Sequence, residues 1–173
     1  MNSDAMAEFA HTSHGQYFLT NPVLLQRIAD AASIKASDRV VEIGAGVGTV
    51  AKMLPECDLT LVETDPRAID ILKAEVPHAR VLLADGIDLL ASGAAPCDIL
   101  LSNLPWPVTE KLVETLPGLA IRRAVLAASP ATSLDSLTDL FDVELIATAE
   151  GADYTPPQPG RSNLVLLVSK TRD

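Results

Sequence analysis

Asn103-Leu104-Pro105-Trp106 sets four different chemistries in a row: a side-chain carboxamide, a backbone carbonyl, a stiff imide and an indole. An amino group attached to an aromatic ring is a poor nucleophile, because its lone pair is delocalised into the ring. A carboxamide oxygen and a backbone carbonyl that accept its two hydrogens favour a pyramidal nitrogen and aim the lone pair outward. Pro105 stiffens such a loop, and Trp106 offers a flat face on which a base or another planar group stacks. Catalysis by such a set is mostly alignment of the reacting atoms, with no metal and no covalent nucleophile.

A second constellation lies upstream. Glu42-Ile43-Gly44-Ala45-Gly46-Val47-Gly48 follows a strand-like run and precedes an expected helix. Glycines at such a junction allow a tight turn and a close approach of backbone to ligand. Glu63 follows the loop at the interval where a carboxylate takes ribose hydroxyls. Asp85-Gly86 ends the next strand, in reach of an adenine amino group. Glycine loop, Glu63 and Asp85 at successive strand ends make an adenosine pocket. An NAD enzyme is the rival for these residues alone. The Asn103–Trp106 motif decides for methyl transfer from S-adenosylmethionine to an amino nitrogen, where the indole also adds cation–π attraction to a sulfonium.

Those loops need a scaffold that brings strand ends together, and the pattern supplies one. From Thr20 onward strand-like and helix-like segments alternate, the sign of an α/β fold with a mostly parallel sheet. Strands are expected at 39–43, 59–63, 81–84, 98–101 and 124–128, and helices at 23–32, 66–76, 109–116 and 133–140, the last with Thr132 as cap. The apolar runs 143–148 and 164–168 flank a turn-rich stretch and suggest an antiparallel pair at one sheet edge. The fold class is thus doubly wound α/β, mostly parallel with an antiparallel edge, in one domain.

The 173 residues carry 23 acidic and 13 basic side chains, a formal charge of −10. Nucleic-acid binding draws on clustered Lys and Arg, and the adjacent pair here is Arg122-Arg123. No apolar run reaches the roughly 18 residues of a membrane span, and no secretory leader is visible at the start. A cytoplasmic protein without a membrane partner is expected. Cys57 and Cys97 lack partners for zinc or redox motifs and fit as small hydrophobes. His11 and His14 lack the further ligands of a metal site, and His78 sits in a turn.

The ordered motifs resemble those of the ribosomal RNA adenine N6-dimethyltransferase family. Gly15-Gln16-Tyr17-Phe18-Leu19 is similar to its GQNFL motif, Val41 to Gly46 to its glycine loop, and Asn103 to Trp106 to its NLPY form. Tyr154-Thr155-Pro156-Pro157 and Arg161 to Val165 are similar to its late FxPPP and serine motifs. The resemblance implies a Rossmann-like class I methyltransferase domain over 15–173, preceded by a flexible N-terminus over 1–14. It implies cofactor contacts at Gln16, Tyr17, Leu19, Glu42, Gly44, Gly46, Glu63, Asp85, Gly86 and Asn103, and catalytic roles for Asn103, Leu104, Pro105 and Trp106. It implies adenine N6 of ribosomal RNA as acceptor. Departures stand beside these likenesses. Tyr17 replaces an asparagine and Trp106 a tyrosine, the segment 127–140 is short, and the family's helical RNA-holding domain has no counterpart here. With the acidic charge, these leave a small molecule or a protein side chain as the alternative acceptor.

Overall fold

A computed structural model describes residues 2–171. Its elements in chain order are α1 (Ser3–Phe9), β1 (Phe18–Leu19), α2 (Pro22–Ala32), β2 (Arg39–Ile43), β3 (Asp58–Glu63) and α3 (Pro66–Glu75). There follow β4 (Arg80–Leu83), α4 (Gly86–Ala91), β5 (Ile99–Ser102), α5 (Trp106–Thr115), β6 (Arg123–Ala128), β7 (Phe141–Ala149), β8 (Tyr154–Thr155) and β9 (Ser162–Ser169).

Local chemistry fixes where the helices begin. The Asn21 side chain accepts from the N–H groups of Val23 and Leu24, and Pro22 occupies the first turn, where its missing donor costs nothing. Asp65 caps α3 and Asp85 caps α4 in the same way. The seven-stranded sheet has the order β4-β3-β2-β5-β6-β9-β7. The pairs from β4 to β6 are parallel, whereas β9 runs antiparallel to both β6 and β7. The expected antiparallel edge is therefore present, with β9 inserted between β6 and β7.

Strand alternation divides the core into two layers. Val40, Ile99, Leu101 and Val125 pack under α2 with Leu24, Leu25 and Ile28. Val41, Ile43, Leu100 and Leu126 face the other way, against Leu112, Val113 and Leu116 of the α5 region. Both sheet faces are thus covered, which is why the strands are nearly continuous apolar runs. Arg39 locks the entry to β2 onto Asp98, just before β5, with Nε 2.9 Å from Oδ2 and Nη2 2.6 Å from Oδ1. Among the described residues no helix is long and apolar enough to cross a membrane.

Three expectations differ from what is observed. No α-helix follows the glycine loop; the chain makes turns and one 3-10 turn, Ala51–Met53. Gly48 has φ +78, outside the helical region, and Pro55 closes the segment before a second turn fits. The expected helix 133–140 shrinks to a 3-10 turn, Asp135–Leu137, and Thr132 does not cap it. Residues 3–14 carry α1 and a 3-10 turn, with Met6 buried against Phe18 and Val47.

Candidate active site

The strand order turns around β2, which lies between β3 on one side and β5 on the other. In open α/β sheets, the crevice outside the strand ends at such a point is where ligands bind. A cavity of about 510 Å³ occupies it, walled by the loops after β2, β3, β4 and β5 and by the segment before β1. Of the residues expected to touch a cofactor, Gln16, Tyr17, Glu42, Gly44, Gly46, Glu63, Asp85, Gly86 and Asn103 all line it. Leu19 does not. It is fully buried in the hydrophobic core and paired through β1 with Tyr154 of β8. Its contribution is to tie the Gly15–Phe18 segment down beside the cavity.

Glu63 is held on both oxygens. Oε2 accepts from Gly46 N at 2.7 Å; Oε1 accepts from Thr64 N at 2.7 Å, Asp65 N at 2.9 Å and Thr64 Oγ1 at 3.3 Å. The carboxylate thus ties the glycine loop to the end of β3, and Oε2, with one donor against three on Oε1, has an unused lone pair. Asp85 Oδ1 accepts from Ile87 N and Asp88 N, which leaves Oδ2 free of the cap. Asp65 also lines the cavity and forms a bidentate pair with Arg67, whose guanidinium lies 4.3 Å over the Phe9 ring. This joins α1 to the cavity rim.

Glu42 is different, for it is buried and its Oε2 has no donor. In register it lies between Leu61 and Leu101. Burial between these neighbours, aided by the nearby Glu63 charge, pushes its pKa up to about 8. The native state therefore binds a proton that the unfolded chain releases near its ordinary carboxyl value. The stabilisation from this group is present below that value and is lost as pH rises through about 8. Glu42→Gln should flatten this loss in pH-dependent chemical denaturation, and an unchanged pH profile would contradict the assignment.

The loop after β5 faces the same cavity. Among the described residues no hydrogen bond ties down the Asn103 side chain. The Leu104 side chain lies over Gly44, where φ is +67 and a Cβ would collide with the leucine. The glycine loop and the Asn103–Trp106 loop are thus in direct contact. Thr109 Oγ1 reaches the Leu104 carbonyl at 3.3 Å and steadies the turn into α5. Trp106 opens α5 and does not line the first cavity. It lines a second of about 500 Å³, together with Ser13, His14, Gly15, Tyr17, Leu104, Pro105, Pro107, Val108, Gln158 and Pro159. His14, Gly15, Tyr17, Leu104, Pro105 and Val108 border both spaces, so the two meet at the Leu104-Pro105 turn.

Several wall residues were not singled out from sequence. Ala45, Thr49, Val62, Ala84 and Ile87 contribute shape to the first cavity, and nothing in their types marked them. Ser162, which the late serine motif contains, accepts from the Trp106 indole and from Gln158, and the resemblance assigned neither residue a place beside Trp106. His11 and His14 line the first cavity with ring centroids 5.4 Å apart. Among the described residues no group of three or more His, Cys, Asp or Glu side chains forms a metal-ligand set. Cys97 is buried and Cys57 partly so, both as free thiols. Arg122 pairs with Asp38 at 2.8 Å and Arg123 with the Ala31 carbonyl at 2.9 Å, at the start of β6 and opposite the cavities. The basic pair is therefore structural.

The sequence model of the ribosomal RNA adenine dimethylase family matches residues 7–121, more than half of the chain. The chain belongs to this family. The dimethylase match contains the glycine loop, Glu63, Asp85 and Asn103–Trp106, whereas Gln158 and Ser162 lie beyond it. A ribosomal RNA small subunit methyltransferase A of Malacoplasma penetrans is 33% identical over 109 residues, covering 61% of this chain and 40% of that protein. A probable ribosomal RNA small subunit methyltransferase A of Methanothermobacter thermautotrophicus is 32% identical over 164 residues, covering 84% of this chain and 57% of that one. The chain thus spans about half the length of these dimethylase relatives. A dimethyladenosine transferase from Plasmodium falciparum superposes with TM-score 0.80 at 23% identity, over 88% of this chain and 63% of that one. The 23S rRNA methyltransferase ErmE gives 0.78 at 20% identity, over 90% and 70%. These two likenesses establish the class I methyltransferase fold.

Proposed function

We propose that this chain transfers a methyl group from S-adenosylmethionine to the N6 amino group of adenine in ribosomal RNA. The observation that carries this reading is the meeting of two cavities at Leu104-Pro105, with the unbonded Asn103 side chain, one residue before, in the wall of the first. The first cavity fits the cofactor. Its orphaned Glu42 Oε2 suits a cationic ligand, the open lone pair on Glu63 Oε2 suits a ribose hydroxyl, and Asp85 Oδ2 suits an adenine amine. No helix N-terminus backs the glycine loop, so the arrangement favours an uncharged sugar edge over the pyrophosphate of a dinucleotide. When bound there, S-adenosylmethionine supplies an electrophilic methyl group on a sulfonium.

The chain's own part is alignment. Asn103 Oδ1 and the Leu104 carbonyl accept the two amine hydrogens, which frees the nitrogen lone pair from the ring. Pro105 holds the turn, and Trp106 stacks on the ring in the second cavity. Leu104, seated on Gly44, couples the position of the acceptor loop to that of the cofactor loop. Glu42 gives up its proton when a cation occupies the first cavity.

A second reading has a specific observation behind it. The −10 charge and the internal use of Arg122 and Arg123 favour an acceptor that needs no basic surface, a small molecule or a protein side chain. Incubation with methyl-labelled S-adenosylmethionine and ribosomal particles, bare ribosomal RNA, protein and metabolite fractions separates the two. Label is expected in the RNA of particles or in bare RNA, and label confined to protein or metabolites would replace the first reading with the second. Activity within the cytoplasm belongs to the same proposal.

A further inference from the structure

The second cavity holds one polar side chain whose position is fixed but whose hydrogen-bonding capacity is only partly used. Gln158 Nε2 donates to Ser162 Oγ at 3.0 Å, and the same oxygen accepts from Trp106 Nε1 at 3.2 Å. Ser162 is buried at the start of β9. Its hydroxyl therefore clamps the indole and the carboxamide in one fixed relation. The Gln158 backbone is fixed as well: its N–H donates to the Gly151 carbonyl at 3.0 Å, and its carbonyl accepts from Gly160 N at 3.0 Å. A primary carboxamide has two N–H donors and a carbonyl acceptor. One donor is spent on Ser162, and among the described residues the second donor and Oε1 have no partner.

We propose that Gln158 is a specificity residue that donates its second N–H to a ring nitrogen of the acceptor stacked on Trp106. The inference rests on the amino-heterocycle reading above. Asn103 Oδ1 and the Leu104 carbonyl take both amine hydrogens, so they recognise any aromatic amine. What separates one such ring from another is the pattern of bare ring nitrogens, and these call for a donor. Leu104, Pro105, Pro107, Val108 and Pro159 supply none from their side chains; Ser13, His14 and Tyr17 carry donors too, but no side-chain hydrogen bond among the described residues fixes where they point. Gln158 supplies one, already oriented, from the wall that also carries Trp106. A buried donor left without its acceptor is penalised, so a ring lacking that nitrogen, or carrying N–H there, is rejected.

Trp106 is the sole tryptophan, so its fluorescence and indole N–H resonance report on this cavity directly. The test titrates adenosine and its 1-deaza, 3-deaza and 7-deaza analogues into wild type, Gln158→Leu and Gln158→Glu, each saturated with S-adenosylhomocysteine. The glutamate variant keeps size and acceptor but lacks the donor. In wild type one deaza analogue should bind about tenfold more weakly than adenosine, the effect of one such hydrogen bond. In both variants that ratio should fall to about one, because the donor is already gone. The same ratio in all three proteins, or no deaza penalty in wild type, overturns the role of Gln158 while leaving the adenine reading in place. If adenosine leaves Trp106 unperturbed although S-adenosylhomocysteine binds, the acceptor reading itself fails, and this inference with it.

Discussion

Replacing Asn103 with alanine is expected to lower kcat by about 10²–10³-fold, the effect of removing one preorganised hydrogen-bonding group from an active site. Cofactor affinity should change little. The reason lies in the position of the side chain. Asn103 sits at the end of β5 and lines the cofactor cavity, yet no hydrogen bond within the described residues uses its carboxamide, so deleting it leaves the scaffold intact. Its oxygen gains a full partner only when an amine approaches along the methyl axis, and its strength is realised in the transition state. Single-turnover rates and calorimetry on the same variant give the two quantities separately. Equal loss of turnover and cofactor binding would make Asn103 a cofactor ligand instead of an alignment group.

Replacing Glu63 with alanine should produce the opposite split, weakening S-adenosylmethionine binding by about a hundredfold, the order expected when charge-assisted hydrogen bonds are lost. Two effects combine here. The variant removes the acceptor offered to a ribose hydroxyl, and it releases Gly46 N, Thr64 N and Asp65 N from the carboxylate that gathers them. Glu63→Gln keeps the size but presents an amide nitrogen where backbone donors converge, so it should be nearly as damaging. Calorimetry checks the affinity, and a melting curve confirms that the fold persists. Unaltered affinity in a folded Glu63→Ala protein would remove the pocket assignment.

What was legible in the sequence, and what was not, follows from which forces act locally. The parallel core strands announced themselves because both faces are buried, leaving apolar runs such as Ile99–Leu101 with little else to be. The helices at 22–32 and 66–75 were legible from their apolar periodicity and from the proline in each first turn, whereas α4 was not, because Asp85-Gly86 was read as a strand end and its cap role appears only in the fold. The helix expected after the glycine loop was lost to Gly48 and Pro55, whose effect depends on how the loop turns around the cavity. Leu19 was assigned to the cofactor through its motif, but the strand pairing that buries it comes from Tyr154, over a hundred residues away. Glu63 was singled out in the sequence as a carboxylate ending its strand, whereas the part it plays in holding Gly46 in place needed the fold. Gln158 ends the run similar to the FxPPP motif, yet neither its type nor its spacing marked it as a site residue. It matters because β9 returns beside α5 and brings Ser162 to the Trp106 indole.

Elements distant in the chain thus make the two cavities: the glycine loop and Glu63 wall the first, the β5–α5 turn and the β8–β9 segment the second, and the proposed function gives each its own ligand. Nucleoside analysis of the methylated product tests this division most directly. Ribosomal RNA labelled by the wild-type chain is digested to nucleosides and the label located by chromatography and mass. The account predicts label in N6-methyladenosine or N6,N6-dimethyladenosine, lost together with activity in Asn103→Ala. Label on a ribose oxygen or a ring carbon would contradict it, since neither acceptor carries the amine hydrogens that Asn103 and Leu104 are placed to receive.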